Sequence, residues 1–460
     1  MSDARAAALE YLHNNRVRFL EELKEYASIP SISTDPACLA DVKRAAEWTA
    51  DQLRKIGIVS VEVLPTSGHP VVFGEWLGAG PQAPTILVYG HYDVQPPDPL
   101  ELWHSRPFQP EVRGENLYAR GASDMKGQVL ATMDAVEAAF AAGSPPVNLK
   151  FLIEGEEEVG SPNLETFIAG NRTKLASDFA LNPDTGMIAP DLPTITYALR
   201  GLAYFEVRVF GPDHDLHSGL YGGVVHNPAQ ALCELIAGMH DAQGKVTLPG
   251  FYDRVRAISA EERAELARLP MDEAFYKRQT GSPELWGEAG YSPVERVGAR
   301  PTLEVNGLYS GYSGEGAKTV LPAWAMAKIS TRLVPDQDAD EVYTQLQQYL
   351  REKTPPTVRV EVARLVGGPA SISARQSPGV LALQRAMEQS WGKRPLFRRE
   401  GGSVPVVSMF QRLLGIESIN TGFSLPDDNA HSADEKLHLP TWYLGMESLV
   451  HFIYNLGEKF

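Results

Sequence analysis

Short apolar runs that alternate with helical patterns most strongly constrain the fold of this chain. Residues 85–89 and 149–153 have the length and composition of buried strands, and the pattern of 127–142 between them predicts a helix. A further apolar run follows at 179–181. Strands that alternate with helices in this way predict an α/β fold, with a sheet flanked by helices.

The pattern changes near residue 199, where alternating apolar residues at 202–210 predict a half-exposed strand. The α/β pattern returns with a predicted helix at 377–391. A chain of 460 residues is also too long for one ordinary core. We therefore predict one domain built from 1–198 and 374–460, with an α+β domain of 199–373 inserted into it.

Composition excludes several classes of partner and compartment. The 58 acidic and 42 basic residues give a formal charge of -16, which would repel a phosphate backbone and argues against nucleic-acid binding. There is neither a secretory signal pattern nor a long apolar run, so we expect no membrane partner. Cys38 and Cys233 lie far apart and are expected to be free thiols, which is consistent with the cytoplasm.

Polar residues with metal-binding chemistry follow the predicted strands. His91 and Asp93 come directly after 85–89, at the strand end where ligands collect in open α/β sheets. Alone, this pair favours a helix cap or a surface pair, and Asp124, in a glycine-bounded loop before a helix, could equally be only its N-cap. His431 alone could be a surface histidine in a polar loop.

Acidic residues directly follow the buried strand 149–153, at 154 and 156–158. Carboxylates concentrated at such a place repel one another unless a cation neutralises them. Together with the two histidines, and without cysteine, they fit a hydrolytic zinc, manganese or cobalt centre better than a structural zinc site. A shared carboxylate would hold two such ions roughly 3.5–4 Å apart.

The motifs that carry these residues resemble, as a set and in order, those of the M20 metallopeptidases. They are FLEELKEYASIPSIS at 19–33, GHYDVQP at 90–96, GASDMKG at 121–127, GEEEVGS at 155–161, Asp184, and DDNAHS at 427–432. The match covers nearly the whole chain. It implies a zinc-peptidase-like catalytic domain, a mixed sheet flanked by helices, with an inserted lid and dimerisation domain, and therefore a homodimer.

The resemblance also implies a ligand set for two divalent metal ions per subunit, zinc first and manganese or cobalt as alternatives. His91, Asp124 and Asp184 would bind one ion, and Asp124, Glu158 and His431 the other. Two nearby acids, at 178 and 191, are alternatives to Asp184 as the ligand, because the segment 182–185 is a weak motif.

Two further residues would act beside the metals. Asp93 would orient His91 through its second ring nitrogen. Glu157 would be the general base that takes the proton of a water bridging the two ions. This role depends on register among three consecutive glutamates. The following Val159-Gly160-Ser161 favours Glu157 as base and Glu158 as ligand, and a slip of one residue would exchange the roles.

The resemblance extends to substrate-binding segments. His217, in DLHSG, resembles a histidine that reaches the active site of the partner subunit. Thr319 and Arg332 resemble substrate-binding residues of cytosolic dipeptidases, and a guanidinium suits two-point binding of a carboxylate. Glu400 and Ser403, in EGGS followed by proline, would bind the ammonium and the carboxylate of a substrate.

These features favour the dipeptidase and carnosinase branch of the family. The predicted function is metal-dependent hydrolysis of a dipeptide or short peptide with a free carboxylate. Met125 departs from that branch, because dipeptidases often have Asp there while DMKG is common among deacylases. An N-acyl-amino-acid deacylase or desuccinylase is therefore the alternative. A non-catalytic metal-binding scaffold has little support, since every catalytic position is filled.

Overall fold

The computed structural model describes residues 2–402 and 404–458, and their packing divides the chain into two compact units. The first unit comprises Met1–Tyr197, Ser373–Phe397 and Pro405–Phe460. The second comprises Ala198–Ile372 and Arg398–Val404. The short segment Arg398–Val404 thus groups with the second unit, whereas the sequence prediction gave it to the first.

The strands are numbered along the chain. In chain order they are β1 (Ser60–Leu64), β2 (Val71–Trp76), β3 (Thr85–His91), β4 (Glu111–Arg113), β5 (Asn116–Tyr118), β6 (Asn148–Glu154), β7 (Phe179–Asn182), β8 (Thr194–Leu199), β9 (Gly201–Phe210), β10 (Leu216–His217), β11 (Thr302–Ser310), β12 (Val320–Leu321), β13 (Trp324–Leu333), β14 (Arg359–Gly368), β15 (Ser371–Ile372), β16 (Leu396–Glu400), β17 (Glu417–Asn420) and β18 (Lys436–His438).

The helices lie between these strands and at both ends of the chain. They are α1 (Ser2–Asn14), α2 (Arg16–Ala27), α3 (Leu39–Lys55), α4 (Lys126–Ala141), α5 (Leu164–Gly170), α6 (Arg172–Leu175), α7 (Ser218–Tyr221), α8 (Pro228–Ala237), α9 (Ala260–Leu266), α10 (Glu273–Thr280), α11 (Pro293–Ala299), α12 (Ala339–Lys353), α13 (Pro378–Trp391), α14 (Pro405–Met409) and α15 (Leu439–Gly457).

The first unit is organised by a mixed sheet in the order β1-β2-β6-β3-β7-β17-β8. Its four central strands, β6, β3, β7 and β17, run parallel, and β1, β2 and β8 pair antiparallel at the sides. Every residue of β6 is buried, as expected for a parallel strand covered on both faces. The predicted α/β fold is confirmed.

Helices cover the sheet of the first unit and fix the loop that precedes α4. Helix α15 packs against α4 and α13, and α1 packs against α4. The ring nitrogen of Trp442, in α15, donates to the carbonyl oxygen of Gly127 at 2.7 Å, and the indole is fully buried. The first turn of α4, directly after the loop of Asp124, is therefore held from the far end of the chain.

The second unit has its own core around an antiparallel sheet in the order β11-β13-β9-β14. Side chains of β9 alternate between buried and more exposed positions, as its sequence predicts. Helices α8 and α12 pack on this sheet and contribute Leu232, Leu235 and Leu346 to the core.

Two simpler expectations can be compared with the described residues. Cys38 and Cys233 are both free thiols, the first half-buried and the second exposed. Within residues 2–402 and 404–458, none of the helices has the length and apolar character needed to cross a membrane.

Candidate metal centre

The parallel strands of the first unit deliver the candidate ligands to one edge of the sheet. His91 is the last residue of β3, where it pairs in register with Glu154, the last residue of β6. Glu158 lies in the turn that follows β6, and Asp184 follows β7 closely. Because β3, β6 and β7 are parallel, their carboxyl ends meet at the same edge, and the loops after them come together.

Five side chains form two groups that share one carboxylate. His91, Asp124 and Asp184 offer ligand atoms that lie within 4.8 Å of one another, and so do Asp124, Glu158 and His431. Nε2 of His431 is 2.9 Å from Oδ2 of Asp124 and 3.1 Å from Oε2 of Glu158. These are the two predicted ligand sets. Their geometry is observed, whereas metal binding by them stays a prediction.

His91 has the hydrogen bonding of a histidine whose Nε2 is kept for a ligand. The ring is fully buried, and Nδ1 lies 3.0 Å from the main-chain oxygen of Asp93. Nε2 makes no hydrogen bond within the described part of the chain and faces Oδ1 of Asp124 at 3.3 Å. A proton on Nδ1 leaves the Nε2 lone pair free, which is how metal-bound histidines are usually oriented. The donor set of imidazole and carboxylates therefore fits zinc, manganese or cobalt.

Asp93 contacts both His91 and the backbone of Glu157 and Glu158. Its buried carboxylate accepts the backbone N–H of Glu157 at 3.3 Å and that of Glu158 at 3.2 Å. Oδ1 of Asp93 is also 3.4 Å from Nδ1 of His91. The sequence predicted the contact with the histidine, while the bonds to the turn Glu157–Val159 were not foreseen.

The electrostatics of the group show a surplus of buried negative charge. Burial, reinforced by the charge of Asp124, raises the pKa of Asp184 well above its ordinary value. Burial also acts to raise the pKa of Asp124, but the contacts with His431 and His91 outweigh it and lower that pKa. Bonds to Asp124 and Glu158 raise the pKa of His431 to about 10. Bound cations would relieve this crowding of carboxylates.

The surroundings of Glu157 raise the pKa of its carboxyl group. With only the protein's own groups present, burial raises its pKa to about 7, while His91 lowers it and Glu158 raises it. Glu157 belongs to neither ligand group. A carboxylate with a pKa close to the working pH suits general base catalysis.

The competing acids have other partners. Asp178 accepts the backbone N–H of Thr85 at 2.7 Å, at the start of β3 and hence at the opposite edge of the sheet. Asp191 forms an exposed ion pair with Lys393 at 2.7 Å. Glu156, the first of the three consecutive glutamates, accepts the side-chain amide of Asn163 at 2.8 Å. None of these three acids belongs to either ligand group.

The second unit contains the remaining predicted residues. His217 in β10 pairs with Val320 in β12, and its Nδ1 accepts the backbone N–H of Gly219 at 3.0 Å. Thr319 is exposed beside it, and its main-chain oxygen accepts the N–H of Ser218.

Arg332 and Glu400 also lie in the second unit. Arg332 is half-buried in β13, and Glu400 forms an ion pair with Arg398 and accepts the N–H of Gly401 at 3.0 Å. Ser403 lies outside the described residues, so its predicted role has no structural account.

Two buried carboxylates near the centre were missed by the sequence analysis. Glu435 accepts the backbone N–H groups of Ser123 and Asp124, and Asp428 accepts the hydroxyl of Ser123. Asp428 stands inside the DDNAHS motif, which could have drawn attention to it. Glu435 carries no motif signal beyond its position shortly after His431.

Comparisons with known proteins give matches over most of the chain. The model of peptidase family M20/M25/M40 matches residues 87–455. The chain is 30% identical to the Cys-Gly metallodipeptidase DUG1 of Candida albicans, over 96% of this chain and 95% of the relative. It is 31% identical to the Beta-Ala-His dipeptidase of Homo sapiens, over 98% and 92%.

Among solved structures, the M20 family metallo-carboxypeptidase Sso-CP2 from Sulfolobus solfataricus superposes with a TM-score of 0.83 at 31% identity, covering 95% of this chain and 99% of that one. The family model alone spans most of the chain, including β3 and the last helix. The resemblance predicted from the motifs is confirmed. This chain belongs to peptidase family M20/M25/M40.

Proposed function

We propose that the protein is a metal-dependent dipeptidase that hydrolyses the amide bond of a dipeptide carrying a free carboxylate. The observation that carries the proposal is the pair of ligand groups that share Asp124, with Glu157 beside them. We infer that these groups hold two divalent cations, with zinc as the first expectation. Such ions, when bound, supply Lewis acidity that makes a water molecule acidic near neutral pH and polarises a carbonyl group.

The protein's own groups then handle the protons. Glu157 accepts a proton from the attacking water and returns it to the nitrogen of the leaving amine. Asp93 keeps Glu157 and Glu158 in place through their backbone N–H groups, so that base and ligand keep a fixed separation. His91, held through Nδ1, presents Nε2 as a ligand.

Recognition of the substrate carboxylate is assigned to Arg332. The guanidinium of Arg200 is close enough to feel the charge of Arg332. Burial and that charge together lower the pKa of Arg200 to about 10. Two neighbouring guanidinium groups favour an anion between them. We assign Thr319 and Ser403 to the same substrate, and Glu400 to its ammonium group. Because Glu400 is paired with Arg398, the ammonium would have to share or displace that partner.

The choice of dipeptide follows the relatives. Two of them are named for Cys-Gly and Beta-Ala-His dipeptides, both of which have a free amino group and a free carboxylate. The Sulfolobus structure is called a carboxypeptidase, which would accept longer chains. The deacylase alternative, which rests on Met125, would require a blocked amino group.

One experiment separates these activities. Metal-stripped protein is reloaded in turn with zinc, manganese or cobalt and tested on Cys-Gly, β-Ala-His, their N-acetylated forms and a matched tripeptide. We expect hydrolysis of the free dipeptides at least tenfold faster than of the acetylated forms, because a site built to pair with an ammonium group rejects its neutral analogue. Faster cleavage of the acetylated forms would identify a deacylase instead.

The variant Glu400→Gln tests the assigned ammonium contact in the same assay. It should reduce kcat/KM for free dipeptides much more than for acetylated ones, and equal losses would remove Glu400 from amino-group recognition.

We further propose that the enzyme works as a homodimer in the cytoplasm, with the second unit as lid and dimerisation domain.

A further inference from the structure

A fully buried carboxylate outside the ligand groups ties together two of the loops that carry them. Oε1 of Glu435 accepts the backbone N–H of Ser123 at 2.9 Å and that of Asp124 at 3.0 Å. Oε2 accepts the N–H of Gly121 at 2.9 Å and NH1 of Arg120 at 2.6 Å. Four donors thus converge on one side chain, including the N–H of the residue shared by both ligand groups.

A second buried carboxylate binds the same loop from the other side of His431. Oδ2 of Asp428 accepts the hydroxyl of Ser123 at 2.9 Å and the N–H of Leu425 at 2.7 Å. Asp428 and Glu435 flank His431 in sequence, and both are buried. The segment between them is therefore anchored at both ends to the loop that carries Asp124.

The backbone of the anchored segment is strained. His431 itself has φ +61°, and Asn429 and Asp434 have φ +56°. Residues other than glycine adopt this left-handed region at a cost that the surroundings must offset. More than half of the His431 side chain is exposed, so its own packing contributes little to holding it there.

From this geometry we propose that Glu435 is a positioning residue for the metal centre, which sets the relative placement of Asp124 and His431. The proposal rests on the proposed metal-binding function. Glu435 does for the loop of Asp124 what Asp93 does for the turn of Glu157, in that a buried carboxylate collects the backbone N–H groups of a ligand-bearing segment.

The two metal positions should depend on Glu435 unequally. Glu435 links the loop of Asp124 to its own segment, which also carries His431. The group of Asp124, Glu158 and His431 therefore contains residues from both linked segments. The group of His91, Asp124 and Asp184 contains only one residue from these two segments, Asp124. Loss of Glu435 should therefore weaken mainly the position that uses His431.

The test is metal titration of the Glu435→Gln variant. Glutamine keeps the size of the side chain but turns an NH2 group toward two donors, which leaves buried N–H groups without acceptors. Cobalt is titrated into metal-stripped protein, and its visible absorption spectrum and calorimetric binding are recorded. We expect one of two affinities to fall about 10- to 100-fold, the range for residues that orient metal ligands. The other affinity should fall much less.

Glu295→Gln is a matched control. Glu295 is also a buried carboxylate with an arginine partner, Arg263 at 2.8 Å, and it accepts the backbone N–H of Ser292 at 2.8 Å, but it lies in the second unit. If Glu435→Gln lowers thermal stability no more than Glu295→Gln and leaves both cobalt affinities unchanged, the proposal is overturned. An equal fall of both affinities would also overturn the unequal role assigned to Glu435.

Hydrogen exchange of the unmodified protein gives a readout that needs no variant. In metal-stripped protein, the amides of Gly121, Ser123 and Asp124 should already exchange slowly, because Glu435 binds them without any ion. Fast exchange that becomes slow only on adding cobalt would overturn the proposal. Failure of the unmodified protein to bind cobalt at all would refute the proposed function, and this inference with it.

Discussion

Glu157 and Glu158 are adjacent in the chain but differ in their surroundings. Glu158 accepts a hydrogen bond from Gln95 at 2.9 Å and lies 3.1 Å from Nε2 of His431, whereas Glu157 belongs to neither ligand group. The structure therefore supports the register in which Glu157 is the base and Glu158 the ligand. The difference of one residue can be tested with a pair of conservative variants.

Glu157→Gln should lower kcat for dipeptide hydrolysis by about 10²- to 10⁴-fold while the metal content stays near that of the unmodified protein. An amide cannot accept the proton from water, but none of the candidate ligands is changed. Glu158→Gln is the matched control and should lose metal. Metal analysis beside activity checks both variants, and loss of metal from Glu157→Gln with retention by Glu158→Gln would reverse the register.

The residue scale also shows what motifs can predict. His91, Asp124 and the acidic run 156–158 stood out because each lies after a strand or in a glycine-bounded loop, and the resemblance to the M20 metallopeptidases then assigned His91, Asp124 and Glu158 as ligands. Glu435 could not be found in this way, because its role depends on hydrogen bonds to residues more than 300 positions earlier in the chain. Sequence spacing carries no information about such a bond.

At the scale of elements, the strand predictions depended on burial and the helix predictions on periodicity. The run at 85–89 became β3, Thr85–His91, because a parallel strand buried on both faces is apolar throughout. Apolar residues at helical spacing over 7–27 predict a single amphipathic helix, but the segment forms parts of two helices, α1 and α2. Asn15 ends the first, since its side-chain amide donates to the main-chain oxygen of Tyr11 at 2.8 Å and competes with helical bonding.

The charged segment 259–277 predicts a helical insertion, and it shows a second way in which a helical pattern is interrupted. It forms α9 and α10, with Pro270 between them, and Asp272 caps the second helix by accepting the N–H of Phe275 at 2.8 Å. Proline cannot continue a helix, and an aspartate soon after it favours a new start. Pro270 and Asp272 are both visible in the sequence, but the charged pattern of 259–277 by itself does not show where the helix is divided.

Helix α4 contains a buried acid whose titration should be visible in stability. Both carboxylate oxygens of Asp134 are buried, and neither accepts a hydrogen bond from the described part of the chain. Burial raises the pKa of Asp134 well above its ordinary value, reinforced by Glu22 and Glu137 and opposed by Arg18 and Lys55. The folded protein therefore keeps a proton on Asp134 that the unfolded chain releases above about pH 4.

Asp134→Asn should accordingly stabilise the protein, by an amount that grows with pH. Below the unfolded pKa both states are protonated and the two proteins should differ little. Above it, the folded aspartic acid loses about 1.4 kcal/mol per pH unit relative to the unfolded state, until pH reaches its raised pKa. Urea unfolding at pH 5, 6 and 7 measures the difference. A gap that stays constant over this range would show that Asp134 is ionised in the folded protein.

Glu137→Gln is the control for this prediction. The carboxylate of Glu137 accepts the hydroxyl of Tyr11 at 2.7 Å and NH2 of Arg18 at 2.7 Å, so it has the partners that Asp134 lacks. Its replacement should destabilise the protein at each pH, because it leaves Arg18 short of a partner. The two variants thus separate an unpaired buried acid from a paired one on the same helix.

At the scale of the whole molecule, the sequence alone could not show which residues lie together. The candidate metal centre joins the end of β3, the loops that follow β6, β7 and β17, and the loop of Asp124 between β5 and α4. The convergence of the first four depends on the order of strands in the sheet. The two units pose a further question, because His217 lies in the second unit and the candidate ligands in the first. Following the resemblance of DLHSG, we propose that His217 serves the active site of the partner subunit, and this proposal needs a test on the assembled protein.

Large apolar side chains are exposed in the segment after His217. Leu220, Tyr221 and Val224 expose 72%, 43% and 83% of their surfaces, although all three are large apolar residues. Neighbouring exposed apolar side chains often mark a protein interface. The family resemblance implies a second copy of the chain as the partner, in keeping with the proposed role of His217 in another subunit.

Subunit mixing tests this arrangement directly. His217→Ala and Glu157→Gln proteins, each inactive by itself, are dissociated, combined in equal amounts and reassembled. In a two-fold dimer half of the assemblies should be mixed, and one site of each mixed dimer would join Glu157 of one chain with His217 of the other. Activity should return to roughly a quarter of the unmodified level, because half of the dimers regain one of their two sites. If His217 served its own chain, every site would keep one defect, and verified mixed dimers would stay inactive. Mixing His217→Ala with a protein that carries both substitutions is the control, since no site in that mixture regains His217.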